Sequence, residues 1–179
     1  PELPVRALQN HGRDVQGLTA TTGETEIDPE TALRTALRLG DGALVVGEVR
    51  GAEAGVLYEA MRVGANSEAV LGTIHGTGAE TVRDRVVEDL GVAPASFGAT
   101  DLVVSLAYGE SDGTRRVRRV EEVHGDGHGF GALFERTGEG LCRTGRLDRG
   151  NSESLAALAR PAETYADVLS ALESRGDRL

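Results

Sequence analysis

At 179 residues the chain fits one domain of ordinary size and is long enough to bury a core. Its net charge of −10 argues against broad, sequence-independent binding to phosphate backbones, which needs clustered basic charge and here could come only from a local basic patch. One cysteine, Cys142, excludes an intrachain disulfide and a four-cysteine zinc site, and the absence of lysine excludes a Schiff base, a lysine general base and a phosphate-loop lysine.

The hydrophobic fraction of 39% lies in periodic segments rather than being spread evenly, which argues for an ordered core. With three Phe, three Tyr and no Trp, that core must come from Val, Leu, Ala and Ile, a composition suited to parallel strands covered by helices. All nineteen basic residues are arginine. An acidic surface of this kind suits a salt-loving organism with a GC-rich genome, because repulsion is screened to a range of about 3 Å at 1 M salt. No run reaches the roughly eighteen apolar residues of a membrane span and no signal sequence opens the chain, so a cytoplasmic location is expected. A start at Pro1 rather than Met is what a processed or excised fragment would show.

Residues 1 to 27 are polar and interrupted, with Leu3 to Leu8 reading as the tail of an earlier element and Thr19 to Glu26 as an exposed loop. Asp28 then supplies a helix cap and Pro29 the first helical position; Leu33, Ala36, Leu37 and Leu39 form an apolar face that Gly40 ends. A strand is expected over Ala43 to Val49, a helix over about Ala52 to Val63 closed by Gly64, and a strand over Val70 to Ile74. A helix over about Ala79 to Leu90 closed by Gly91 and a strand over Asp101 to Ala107 follow. This alternation predicts βαβ crossovers and a parallel sheet. From Tyr108 the pattern changes. Thr114 to Val123 alternates Arg with Val and Ala132 to Thr137 is a second strand, so a small antiparallel ribbon is expected, joined by the glycine-rich His124 to Gly131. Gly138 to Gly150 reads as loop, and Glu153 to Ala159 and Pro161 to Arg175 as two closing helices. Residues 1–107 thus form the expected α/β core and 108–179 an appendage.

Burial explains Ala43 to Val46 but not Glu48, because an unpaired buried carboxylate is costly. A strand end is also where ligands of open α/β sheets bind. Val70 to Gly76 repeats the arrangement and ends in His75. The structural readings are an ion pair of Glu48 with Arg50 or another arginine at a strand end, and a purely structural histidine at His75. Gly47 either lets backbone approach a phosphate or makes packing room. Arg34, Arg38, Arg50, Arg83 and Arg85 are phosphate contacts or salt-bridge partners, the salt bridge being the default for any one of them. His124, Asp126 and His128 bring imidazoles and a carboxylate together, but flanking glycines and the lack of a fourth ligand favour a plain loop over a metal site. Arg115, Arg116, Arg118 and Arg119 form the one basic cluster, a contact for membrane headgroups, a subunit or acidic loops of the same chain.

The stretch Ala32 to Gly64, with Gly-Glu-Val-Arg-Gly at Gly47 to Gly51, then Gly-Thr-Ile-His at Gly72 to His75 and DLVVSL at Asp101 to Leu106, resembles a superfamily of motor ATPases. Its members serve type II and type IV secretion, type IV pilus and archaellum assembly. The resemblance covers roughly residues 1–107 and points to a haloarchaeal member. It implies a RecA-like, mostly parallel sheet flanked by helices, with ATP and Mg2+ as cofactors. Glu48 would orient or deprotonate the attacking water or hold a magnesium-bound water, and His75 would sense the terminal phosphate. Glu2 would end the acidic box. Gly47, Arg50, Thr73 and Arg85 are carried as nucleotide-binding candidates. A homohexamer is implied, working with an integral membrane platform protein at the inner face of the cell membrane.

Several residues depart from the family pattern. Asp41-Gly42 stands where Pro-Asp is usual, Ala65 where histidine is common, and Gly76 where alanine follows the histidine. GxxxxGK[ST] is absent, and Gly76 and Gly78 ahead of a helix are a poor substitute for it. Either the phosphate-binding loop lies upstream in a longer polypeptide or the chain is a half-motor without ATPase activity. The alternatives are a non-hydrolysing module that docks to a motor or membrane platform, and a RecA-like nucleic-acid motor, against which the acidic balance counts.

Overall fold

A computed structural model describes residues 3–19, 27–39, 42–63, 69–109 and 113–176. It is a mixed α/β protein in which a two-stranded parallel sheet and a four-stranded antiparallel sheet belong to different compact units. One unit comprises residues 1–75 and 84–99, the other 76–83 and 100–179.

In the first unit, α1 (Val5–Asn10) stands where only the tail of an element is expected. Helix α2 (Pro29–Ala36) begins as its sequence dictates, with the Asp28 carboxylate accepting from the Thr31 N–H at 2.9 Å and proline in the first turn. Strand β1 (Leu44–Val46), helix α3 (Glu53–Val63) and strand β2 (Val70–Gly72) form the expected βαβ unit, and the two strands pair in parallel. Both strands are shorter than expected, because only three residue pairs lie in register: Leu44 with Val70, Val45 with Leu71 and Val46 with Gly72. Leu33 of α2 and Val56, Leu57, Tyr58 and Ala60 of α3 are buried, and Tyr58 stacks on Phe97 at 6.0 Å between ring centroids. Phe97 lies on a short helix, α5 (Pro94–Phe97).

The helix expected over Ala79 to Leu90 divides. Helix α4 (Ala79–Asp84) runs into a π-helical turn over Arg85–Asp89, a wider winding that recurs at functional positions in helices.

In the second unit β3 (Leu102–Tyr108), β4 (Arg115–Val123), β5 (Phe130–Thr137) and β6 (Gly140–Arg143) form an antiparallel sheet in chain order. This corrects two expectations. The third strand of the βαβ pattern joins no parallel sheet among the described residues: it pairs with β4, reached by a short connection whose closure costs little entropy. The stretch read as loop, Gly138 to Gly150, contains β6 and the one-turn helix α6 (Gly145–Asp148), with Gly140 at φ +125 in the tight turn that brings β6 back along β5. Helix α7 (Glu153–Ala157) is capped by Ser152, whose hydroxyl accepts from the Leu155 N–H. Helix α8 (Tyr165–Gly176) starts later than Pro161, because Thr164 and Asp167 bond reciprocally as a capping box. Leu133, Leu147 and Leu155 make a small core, packed by Phe134, Tyr165, Val168 and Leu169. No described helix is long and apolar enough to cross a membrane.

Candidate functional site

The ladder of β1 and β2 continues past their assigned ends. The Val49 N–H donates to the Thr73 carbonyl at 2.8 Å and the Thr73 N–H to the Val46 carbonyl at 3.3 Å. The Thr73 hydroxyl also donates to the Gly47 carbonyl. A methyl group at Gly72 would meet Val49 Cγ2 at 3.3 Å and Leu57 Cδ2 at 3.6 Å, so glycine here lets the strand end lie close to its neighbours. Parallel pairing carries both chains off the same edge of the sheet, which brings together the two residues that follow the strands.

Glu48 Oε1 lies 3.2 Å from His75 Nε2, and Glu48 Oε2 is bonded by the Arg50 guanidinium. The Glu48 side chain is only 17% exposed whereas that of His75 is 80% exposed, so the imidazole forms the open side of the pair. The Arg50 hydrogen bond pulls the Glu48 carboxyl below its ordinary range, burial opposes the shift, and the charges of Arg50, His75 and Arg85 add to it. Glu48 is therefore a carboxylate at neutral pH. Arg85 opens the π-helical turn; its Nη1 is 3.8 Å from Asp89, and its Nε is buried without a hydrogen-bond partner. The backbone N–H groups of Arg50 and Gly51 both donate to the buried Glu53 carboxylate, at 2.7 and 3.0 Å, which fixes the chain between Glu48 and α3.

The structure thus brings together Glu48, His75 and Arg50, with the Thr73 hydroxyl and the Gly47 carbonyl tying the two strand ends. Glu2 lies outside the described residues, as do Gly40, Asp41, Gly64 and Ala65. Four of the five arginines weighed between phosphate contact and salt bridge have partners in the chain. Arg34 bonds Glu30, Arg50 bonds Glu48, Arg85 faces Asp89, and Arg83 donates to the Gly127 carbonyl at 3.1 Å. Arg38 is exposed.

Among the described residues no group of three or more His, Cys, Asp and Glu is arranged to hold a metal. In the His124 to His128 loop the Asp126 carboxylate accepts the N–H groups of His128 and Gly129, while His124 Nε2 is 2.8 Å from Arg146 and His128 Nδ1 is 3.4 Å from Arg83. Each ring nitrogen in these contacts faces a guanidinium rather than a cation site. At Glu48, one carboxylate beside an imidazole suits contact with a water on a magnesium ion held mainly by phosphate oxygens, not a protein cage.

Sequence reasoning missed three buried carboxylates, Glu53, Glu121 and Glu122. Glu53 was legible as an acidic residue in the first turn of a helix. Glu122 is 0% exposed; its Oε1 accepts from Ser152 Oγ at 3.0 Å and from the Ser154 N–H, and its Oε2 from Arg146 Nε at 3.2 Å. Only its place in an alternating strand hinted at burial.

The fold and site define a mixed α/β protein with a carboxylate–imidazole pair at the end of a parallel strand pair. No protein-family model matches the sequence, and no curated protein does so either.

Proposed function

We propose that this chain is the C-terminal part of the RecA-like core of a motor ATPase from the type II/IV secretion, type IV pilus and archaellum assembly superfamily. The observation that carries the reading is the Glu48–His75 pair at 3.2 Å, formed by the Gly-Glu-x-Arg and Thr-x-His segments on which the resemblance rests. In such a motor ATP bound with Mg2+ supplies the phosphoryl group and the charge neutralisation that its transfer to water needs. Glu48, ionised and held by Arg50, orients a water rather than removing its proton, because a carboxylate with a lowered pKa is a weak base. His75, exposed and touching Glu48, reports the presence of an anion to the carboxylate through its hydrogen bond. Arg50 and Arg85 supply the positive charge near the strand ends, and Thr73 holds the two ends in register.

With no lysine, these 179 residues cannot supply a GxxxxGK[ST] loop, so hydrolysis depends on a loop from outside them. The same reading makes the protein a homohexamer that works with an integral membrane platform at the inner membrane face and couples hydrolysis to secretion or filament assembly. The test is the Glu48→Gln variant of the full natural polypeptide, assayed in high salt. Turnover is expected to be abolished with nucleotide binding kept, and unchanged turnover overturns the assignment.

A second reading has its own observation. Both Glu48 oxygens are already engaged, by Arg50 and His75, which suits a non-hydrolysing module that docks to a motor or platform. That reading requires partner binding by the 179 residues with no dependence on nucleotide.

A further inference from the structure

Strand β3 is an edge of its sheet, because the order β3-β4-β5-β6 places no strand beyond it among the described residues. Its side chains alternate without a break, since the register shift at Ser105 and Leu106 adds its extra residue, Arg118, to β4. Leu102, Val104, Leu106 and Tyr108 therefore share one face, and each is between 45% and 66% exposed. Edge strands are ordinarily guarded by lysine, proline or an inward-pointing charge, and Leu102–Tyr108 contains none of these.

The backbone of β3 is open on the same four residues. The Val123 N–H donates to the Asp101 carbonyl at 3.0 Å and the Gly109 N–H to the Thr114 carbonyl at 2.8 Å. Such groups alternate along an antiparallel ladder, so the odd-numbered residues from Asp101 to Gly109 face β4. The N–H and C=O groups of Leu102, Val104, Leu106 and Tyr108 face away from it. On the other face of the sheet Ser105, midway along β3, is buried, and its hydroxyl has no hydrogen-bond partner. A buried hydroxyl left unpaired is costly.

We propose that β3 pairs antiparallel with β3 of a second copy of this chain, across a two-fold axis at Ser105, to make one continuous sheet. The proposal is independent of the ATPase reading. A two-fold contact needs a surface complementary to itself, and β3 is one. About that axis Leu102 pairs with Tyr108 and Val104 with Leu106, so the outward N–H and C=O groups of all four gain partners and their side chains form one apolar stripe. Ser105 falls opposite itself in the non-hydrogen-bonded position, with Cα atoms about 4.5 Å apart, where the two hydroxyls bond each other. Asp101 flanks one end of β3 and Arg115, opposite Tyr108, the other, so the axis sets unlike charges side by side at both ends of the contact.

Sedimentation equilibrium of the 179-residue chain in high salt is expected to show a concentration-dependent dimer. Leu106→Lys, which gives the edge a guarding charge, should weaken it about tenfold or more. Leu106 is exposed, so the variant is expected to fold, and an unchanged urea midpoint at monomeric concentration checks this. Register is read by oxidative cross-linking in a Cys142→Ser background. Ser105→Cys should give a disulfide-linked dimer, because its Cα spacing lies within disulfide range. Val103→Cys or Ala107→Cys alone should not, whereas a mixture of the two should, since each lies opposite the other. A monomer at every concentration, association undiminished by Leu106→Lys, or cross-linking of Val103→Cys with itself as readily as of Ser105→Cys overturns the proposal. So does a dimer of the 179 residues that is lost in the full natural polypeptide, which would assign the edge to another segment of that polypeptide.

Discussion

Glu48 and His75 face each other at 3.2 Å because parallel pairing of β1 and β2 delivers both residues to the same edge of the sheet. The Arg50 hydrogen bond is the largest cause of the lowered Glu48 pKa, ahead of the charge of His75. Arg50→Ala is therefore expected to raise the Glu48 midpoint toward 4.5 by more than His75→Ala does, read by side-chain carboxyl NMR titration. The sign for stability follows. A carboxyl whose folded pKa is lowered stabilises the fold above its unfolded value, and that contribution fades as pH falls through the folded value. An equal or reversed order for the two variants would mean that Arg50 is not the dominant partner.

Glu122 joins three elements through one carboxylate, receiving Arg146 from α6 and Ser152 and Ser154 from the start of α7. Burial pushes its pKa up, but the hydrogen bonds from Ser154, Ser152 and Arg146 outweigh that and leave it lowered. Glu122→Ala is expected to cost about 2–3 kcal/mol, less than for a wholly buried pair because Arg146 is partly exposed. Ser152→Ala, which removes both the α7 cap and a donor to Glu122, should cost about 1–2 kcal/mol. Urea unfolding at pH 7 measures both. Repeating it as pH falls below 4.5 should progressively shrink the Glu122→Ala penalty, because the unfolded chain takes up the proton first and the contribution is lost as pH falls through the lowered folded value.

Gly131 leaves room for Arg146. A Cβ there would fall on the guanidinium, 2.6 Å from Cδ and 2.8 Å from Cζ. Arg146 cannot yield freely while it holds Glu122 and His124, so Gly131→Ala is expected to destabilise by about 1–3 kcal/mol. Combining it with Glu122→Ala should give less than the sum, since both act through Arg146. Strict additivity in that double-mutant cycle would contradict the coupling.

Val45 and Leu71 are direct register partners on one face of the parallel pair, 46% and 55% exposed. Two adjacent apolar side chains left half open gain little from the fold and favour association. Leu71→Ser in this 179-residue chain should change unfolding stability by less than about 0.5 kcal/mol while lowering hydrophobic dye binding and self-association. A large loss of stability would show that Leu71 is already well packed.

Local rules made much of the first unit legible. Asp28-Pro29 marked the start of α2, and the run ahead of Gly47 and the run ahead of His75 marked the two strands with a helix between them. Motif spacing along the chain also singles out Glu48, Arg50 and His75. The same rules went astray where a choice depended on partners. Leu102–Tyr108 has an apolar pattern that suits a buried parallel strand as well as an antiparallel one, and only pairing with β4 decided between them. Gly140–Arg143 is too short and polar to announce a strand, and becomes one because β5 offers it an edge.

Composition and order of residues alone determined that these residues supply no lysine chemistry and no disulfide among themselves, and that two polar residues follow two short apolar runs. Those are properties of the covalent chain and need no fold. Tertiary structure decided that Glu48 meets Arg50 and His75, and that Glu122 is enclosed by Arg146 and Ser152. Each depends on register and side-chain packing between segments far apart in the chain, which spacing along the sequence does not encode.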